Sequence, residues 1–215
     1  MEWLAYILTA LSAYLLGSIP TGFLVGKARG IDLRKQGSGN IGATNAFRIL
    51  GKPAGTLVLV VDAVKGSAAC WLAAQVIYAN WGGGGMGAEE REYLAVEAAL
   101  FVILGHIYTC WLGFKGGKGV ATTGGVMLAL SPMGLLITLS VWLLVCGVTR
   151  FVSVASIVAG VSLPVAVWLS GGSVLMIATF GIIGALAIFK HRTNIKRLIQ
   201  GTESRIGHRK ETEAK

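Results

Sequence analysis

Three short stretches hold most of the side chains able to do chemistry. The first runs Gly37-Ser38-Gly39-Asn40-Ile41-Gly42-Ala43-Thr44-Asn45 and is followed by Arg48. Its first six residues fit G-x-G-x-x-G. The preceding Arg34-Lys35-Gln36 is no buried strand, however, and no βαβ unit surrounds it, so a dinucleotide site is not supported. What survives is physical: glycines let successive backbone N–H groups turn toward one anion, and the Ser and Asn side chains add donors. An ordinary polar loop is the plain alternative. The second stretch is Phe114-Lys115-Gly116-Gly117-Lys118-Gly119-Val120-Ala121-Thr122-Thr123. It is not a Walker A loop, because Gly113 is too close to the lysine and Gly119 follows it. It does lead from a Gly/Lys loop into a helix start, where unpaired N–H groups and the positive dipole end favour a phosphate beside Lys118. The alternative is a loop that is basic only because it faces the cytoplasm. The third stretch is Lys190-His191-Arg192-Thr193-Asn194-Ile195-Lys196-Arg197, with Glu203 beyond. His191 and Asn194, three apart, share a helical face, and both can donate toward a phosphate or hydroxyl. Arg192, Lys196 and Arg197 also suit a juxtamembrane cluster that touches only anionic headgroups.

Other chemistries are missing from the chain. There is no G-x-S-x-G elbow, no H-E-x-x-H and no carboxylate cluster, so neither an α/β-hydrolase nucleophile nor a metal site is expected. Cys70, Cys110 and Cys146 are widely spaced in apolar surroundings and read as inert buried thiols. Asp62 and Lys65 lie inside an apolar run, where an ionisable residue costs about 2.5–3.5 kcal/mol on insertion scales. At i and i+3 they can face one another, either as a structural buried pair or as a support that orients the loop at 37–48. His106, before Tyr108 and Trp111, is equally open to interfacial packing or a supporting role.

The elements that must position these residues are membrane helices. Of 215 residues, 54% are hydrophobic and 13% charged, with 19 Lys+Arg against 10 Asp+Glu. Soluble domains are about 25% charged, and disorder needs low hydrophobicity, so both are excluded. An apolar chain of net charge +9 faces something anionic: headgroups, phosphorylated substrates or nucleic acid. Apolar runs near 3–25, 54–79, 93–112, 134–149, 153–169 and 173–189 approach the roughly 20 residues a spanning helix needs. A seventh, 119–131, is short and Gly/Thr-rich. Glu2 and the lack of a basic leader argue against a cleavable signal peptide. With seven crossings and the N-terminus outside, 17 of the 19 basic residues fall on the cytoplasmic side. They lie in loops 26–52 and 113–118, at Arg150 and in the tail 190–215. Gly82 to Gly85 then form an external loop. The Gly22/Gly26 spacing reads as close helix packing. The fold expected is therefore all-α: one polytopic domain over 1–215, with seven transmembrane helices, N-terminus outside and C-terminus cytoplasmic.

Taken together the blocks resemble a known family. Gly17-Ser18-Ile19-Pro20-Thr21-Gly22, the Gly37–Asn45 stretch, Asp62-Ala63-Val64-Lys65-Gly66, Gly105-His106, Phe114–Thr122 and Lys190–Ile195 occur in the order seen in the bacterial acyl-phosphate:glycerol-3-phosphate acyltransferases, the PlsY family. The resemblance implies acyl transfer from acyl phosphate to the 1-hydroxyl of glycerol 3-phosphate, giving lysophosphatidic acid and phosphate in phospholipid biosynthesis. It implies no covalent acyl-enzyme and no cofactor or metal. With the chemistry above, it assigns catalytic roles to Ser38, Lys118, His191 and Asn194. It assigns substrate or phosphate binding to Gly37, Gly39, Asn40, Gly42, Asn45, Arg48, Lys115, Gly116, Gly117, Gly119, Thr122 and Glu203, and support to Asp62, Lys65 and His106. The base is left open between His191 and a substrate phosphate. The expected partners are the two substrates and membrane lipids, not nucleic acid, with the protein a monomer in the bacterial inner membrane and its site facing the cytoplasm. The competing classes are a transporter of phosphate or an organic anion, disfavoured because the polar loops gather on one side, and a lipid-binding scaffold.

Overall fold

The computed structural model describes residues 2–81 and 87–207. The external loop expected at Gly82–Gly85 and the tail residues Arg209, Lys210 and Lys215 lie outside the described residues. Within them all regular structure is helical. Helix α1 (Glu2–Ser18) and α2 (Thr21–Lys27) are separated at Pro20, whose missing N–H and fixed φ interrupt the helix. A 3₁₀ turn (Leu33–Lys35) and the first glycine loop lead to α3 (Ala43–Leu50) and α4 (Lys52–Trp71). Pro53 in the first turn of α4 costs no hydrogen bond there. The chain continues through a π-helical stretch (Leu72–Ile77) into α5 (Tyr78–Trp81). Then follow α6 (Ala88–Ile107), α7 (Val120–Leu130), α8 (Pro132–Thr149), α9 (Val152–Leu169), α10 (Val174–Lys190) and α11 (Arg192–Ile199).

Five segments are long and apolar enough to cross a membrane: Trp3–Lys27, Lys52–Asn80, Glu89–Leu112, Pro132–Thr149 and Val152–Leu169. A sixth is reached only by α10 taken together with α11, which turns away from it by 51°. The seventh expected helix exists as α7, but at 11 residues it is only about 16 Å long. The protein is thus an all-helical integral membrane protein. Glycines let its helices touch backbone to backbone, which matters where lipid gives no hydrophobic drive for association. A Cβ on Gly17 would lie 2.2 Å from the Val102 carbonyl oxygen in the α1–α6 contact, and one on Gly125 1.8 Å from that of Ala63 between α4 and α7. Gly22 and Gly26 meet the expectation of helix packing only in part. Their nearest neighbours are the carbonyls of Ile41 and Ile31, so they seat α2 on the loop that follows it, while a Cβ on Gly22 would also meet the Val58 side chain of α4 at 3.5 Å. Between the helices lies a core of Val102, Ile103, Val126, Met127, Phe180 and Ile183. Cys70 and Cys146 are buried as expected, whereas Cys110 is only partly so, because the short turn Cys110–Leu112 lies at the rim of α6.

Candidate active site

The first glycine loop is built around one side chain. Asn45, 2% exposed, sits in the first turn of α3 and donates through Nδ2 to the carbonyls of Leu33 (3.2 Å), Gln36 (3.0 Å) and Asn40 (2.9 Å). Its Oδ1 accepts from the Ser38 N–H at 3.1 Å. Asn45 was expected to bind substrate; these four hydrogen bonds commit both amide N–H groups and one lone pair of Oδ1 to shaping the loop. Gly37 and Gly39 turn the chain at φ +58° and +71°. At Gly37 a Cβ would also lie 2.4 Å from Asn45 Oδ1, so glycine is required for both reasons. The Asn40 Oδ1 accepts from the Gly42 N–H at 2.7 Å, closing an Asx turn. This leaves Ser38, Gly39 and Asn40 facing outward into the cleft. Arg34 is tied back to Asp32 (Nη2–Oδ2 2.8 Å) and lies 4.6 Å above the Phe23 ring. That ion pair holds the exposed Asp32 carboxyl at about 2.

In the second loop the glycine amides do not point at a ligand. The N–H groups of Gly116 and Gly117 donate to the carbonyls of Ile107 and His106, both at 3.0 Å, and so cap the C-terminus of α6. The donors left for an anion are those of Val120, Ala121 and Thr122 in the first turn of α7, entered through Gly119 at φ +83°. The Thr122 side chain is fully buried in the α4–α7 contact, where Gly66 backs onto its carbonyl, and it does not line the cleft. Lys115 is exposed and outside the cleft lining, and Arg48 is exposed on α3. Lys118 reaches inward and donates to Asn194 Oδ1. Burial lowers its ammonium pKa from 10.5 to about 8; Glu203 opposes the shift, while Arg197, Arg48 and Lys190 add to it.

The third stretch arrives through the turn between α10 and α11. Asn194 accepts from Lys118 and donates through Nδ2 to Glu203 Oε1 at 2.7 Å, while Arg197 Nε donates to Glu203 Oε2 at 2.7 Å. The result is a chain Lys118–Asn194–Glu203–Arg197 with both ends of the amide fixed. Burial alone would raise the Glu203 carboxyl, but the bonds from Arg197 and Asn194 outweigh it and hold it below the ordinary carboxylate value. The His191 ring is buried, with Nδ1 2.7 Å from the Ala187 carbonyl; that contact makes Nδ1 the protonated nitrogen of the neutral ring. Burial, and then the Lys118 charge, lower the imidazole to about 4.

One cleft of about 160 Å³ collects the three stretches, lined by Ser38, Gly39 and Asn40 from the first, Gly116 and Lys118 from the second, and Lys190, Arg192, Thr193 and Arg197 from the third. The last four were not singled out as site residues from the sequence. Their signal was the basic run itself, which headgroup contact explained as well; Lys190 ends α10, and the 51° turn that follows carries Arg192, Thr193 and Arg197 to the same cleft. Asp62, Lys65 and His106 lie apart from the cleft, buried between the two glycine loops. Among the described residues no group of three or more His, Cys, Asp or Glu is placed to hold a metal ion. Backbone donors, a half-buried lysine and two arginines around one opening suit phosphate groups.

Residues 7–201 match the family model described as glycerol-3-phosphate acyltransferase. A protein named glycerol-3-phosphate acyltransferase from Synechococcus sp. (strain JA-3-3Ab) is 46% identical over 210 residues, covering 96% of each chain. One of the same name from Desulforamulus reducens is 43% identical, covering 98% of this chain and 100% of its own. Two crystal structures of PlsY, described as an integral membrane glycerol 3-phosphate acyltransferase, are also similar. Its glycerol 3-phosphate form superposes with a TM-score of 0.83 at 40% identity, covering 94% of this chain and 96% of that one, and its lysophosphatidic acid form with a TM-score of 0.81. With residues 7–201 matching the family model and relatives 43–46% identical covering nearly its whole length, the chain belongs to the glycerol-3-phosphate acyltransferase family.

Proposed function

We propose that this protein transfers an acyl group from acyl phosphate to the 1-hydroxyl of glycerol 3-phosphate, releasing lysophosphatidic acid and phosphate at the cytoplasmic face of the bacterial inner membrane. The observation that carries the reading is the single cleft in which Ser38, Lys118, Arg192 and Arg197 converge from three separate stretches. Two phosphate groups must be held side by side, and this lining supplies cations and donors with no competing metal cluster among the described residues. Acyl phosphate is an anhydride with a good leaving group, so positioning and charge neutralisation carry the reaction without an enzyme nucleophile. The acceptor hydroxyl attacks the acyl carbonyl carbon, the C–O bond to phosphorus-bound oxygen breaks, and Lys118 with the first turn of α7 stabilises the departing phosphate. Ser38 and the Gly37–Gly42 turn hold the acceptor's phosphate, with Arg48, whose charge acts on Lys118, adding to the positive field. Asn194 and Glu203 act one step back, fixing Lys118 and Arg197.

The hydroxyl proton goes to a phosphate oxygen of the substrates. Glu203 is occupied by two donors, and His191 near 4 is a weaker base than a phosphate monoester, whose second pKa is about 6. Seven crossings with the N-terminus outside complete the reading. Their support is the placement of α7: it starts beside Asn194, at the site end, and ends at Ser131, whose hydroxyl lies 3.0 Å from that of Ser170 at the far end of α9. Purified protein in detergent, given palmitoyl phosphate and glycerol 3-phosphate, forms lysophosphatidic acid and phosphate in equal amounts on this reading. Release of no phosphate, or phosphate release independent of acceptor, refutes it, and the former outcome is the one a transporter or scaffold gives.

A further inference from the structure

Between the two glycine loops lies a closed polar cluster that touches neither substrate cleft nor solvent. Asp62 and Lys65 on α4 have side chains 4% exposed, and His106 on α6 is 6% exposed. Lys65 Nζ is 2.8 Å from Asp62 Oδ1 and donates to the Ile19 carbonyl at 3.0 Å. The same carboxylate oxygen accepts from Thr21 Oγ1 at 3.0 Å, and His106 Nδ1 stands 3.8 Å away. Breaking a buried pair of this kind leaves an uncompensated charge, so the cluster is a rigid element rather than an adjustable one.

Each glycine loop rests on one side of it. Thr21 starts α2, and the next residue, Gly22, abuts the Ile41 carbonyl so closely that a Cβ there would be 1.7 Å from the oxygen. Ile41 is the centre of the Gly37–Gly42 turn. On the other side, Gly117 lies flat on the His106 ring, where a Cβ would be 2.2 Å from Nε2, and its N–H is bonded to the His106 carbonyl. Lys118 is the next residue. From Ile41 to Lys118 the path runs through Gly22, Thr21, Asp62, His106 and Gly117, its intervening side chains all buried and its widest step the 3.8 Å between Asp62 Oδ1 and His106 Nδ1. We infer that Asp62, Lys65 and His106 are positioning residues that set the separation between the two phosphate-holding loops, and with it the distance between the acceptor hydroxyl and the acyl carbonyl. The inference rests on the acyl-transfer reading above. It differs from support of the first loop alone, because both loops are referenced to the same carboxylate.

A change in spacing leaves each phosphate able to bind its own loop but spoils their mutual approach, and a misplacement of about 1 Å can cost about 100-fold in rate. The test uses three variants: Gly22→Ala, which pushes the first loop off the cluster from a position remote from any substrate; His106→Ala, which removes the floor under Gly117; and the doubly neutral D62N/K65Q, which keeps hydrogen-bonding groups without stranding a charge. Steady-state transfer from palmitoyl phosphate to glycerol 3-phosphate is measured on each detergent-purified protein, normalised to folded monodisperse enzyme, beside calorimetric binding of glycerol 3-phosphate. The expected result is a kcat lowered 10- to 100-fold in all three, with KM for both substrates and the glycerol 3-phosphate affinity within about threefold of wild type. Lowered thermal midpoints with kcat per folded molecule unchanged make the cluster structural only and overturn the inference. So does a raised KM at unchanged kcat, which signals binding rather than spacing. A wild-type protein without transferase turnover overturns the reading beneath it, whereas an active wild type whose variants keep kcat overturns the positioning alone.

Discussion

Lys118 gives the sharpest handle on the chemistry, through pH. Holding its ammonium half-buried among Arg197, Arg48 and Lys190 lowers its pKa from 10.5 to about 8, a penalty of about 3 kcal/mol on the charged form. The empty enzyme therefore carries the charge on roughly nine molecules in ten at pH 7 but on only about one in ten at pH 9. A bound phosphate changes the balance: one negative charge at about 4 Å and an effective dielectric near 20 returns about 4 kcal/mol, more than the penalty. The two rate constants should then part company. Because kcat/KM reports the free enzyme, it falls about tenfold per pH unit above a midpoint near 8, whereas kcat, which reports the complex, holds to pH 10 or beyond. The assay is acyl transfer in detergent from pH 6.5 to 10, with Lys118→Met as the comparison. In that variant the limb near 8 disappears while overall transfer drops by two to three decades, the usual loss for one group stabilising developing charge. A limb of unchanged midpoint in Lys118→Met, or a wild-type kcat/KM flat between pH 7 and 10, refutes the reasoning.

Asn45→Ala strips the first loop of four hydrogen bonds at once; the expected cost is about 3 kcal/mol, read as a lowered thermal midpoint with loss of transferase activity as the loop loses its shape. Glu203→Gln keeps one acceptor, turns the other into a donor facing a donor, and removes the charge that supports Lys118, so the high-pH limb of kcat/KM moves below 8 and activity at pH 7 falls several-fold. Gly125→Ala drives a methyl to within 1.8 Å of the Ala63 carbonyl and should destabilise the α4–α7 contact by about 1–3 kcal/mol in thermal unfolding, with glycerol 3-phosphate binding retained by the folded fraction.

Helices and their order were legible because apolar runs and basic loops are first-order signals in a membrane chain. The short run 119–131 was placed within a residue of α7, yet its crossing could not be read from length, since 11 helical residues fall well short of a bilayer. Residue types pointed to the three stretches that line one cleft but not to which groups within them face outward. Asn45 and the amides of Gly116 and Gly117 looked like ligand donors, and all three turn inward, because carbonyls exposed by loop and helix end must be satisfied first. Arg197 was hidden for the opposite reason: its charge is ordinary for a juxtamembrane run, and only its bond to Glu203, six residues on, distinguishes it. Contacts of that kind depend on how the tail folds back, which no local pattern records.

The capping of α6 by Gly116 and Gly117 also acts as electrical insulation. Helix α6 ends where its dipole is negative, and the exposed carbonyls of His106 and Ile107 would repel any anion brought close to them. By occupying both oxygens, the loop screens that end, and a few residues later it opens the positive end of α7. One short segment thus converts a helix terminus hostile to phosphate into a floor on which phosphate can rest. It also explains why side chains are excluded at both positions: a Cβ on either glycine would meet the His106 carbonyl or imidazole at 2.0–2.2 Å and lift the screen away.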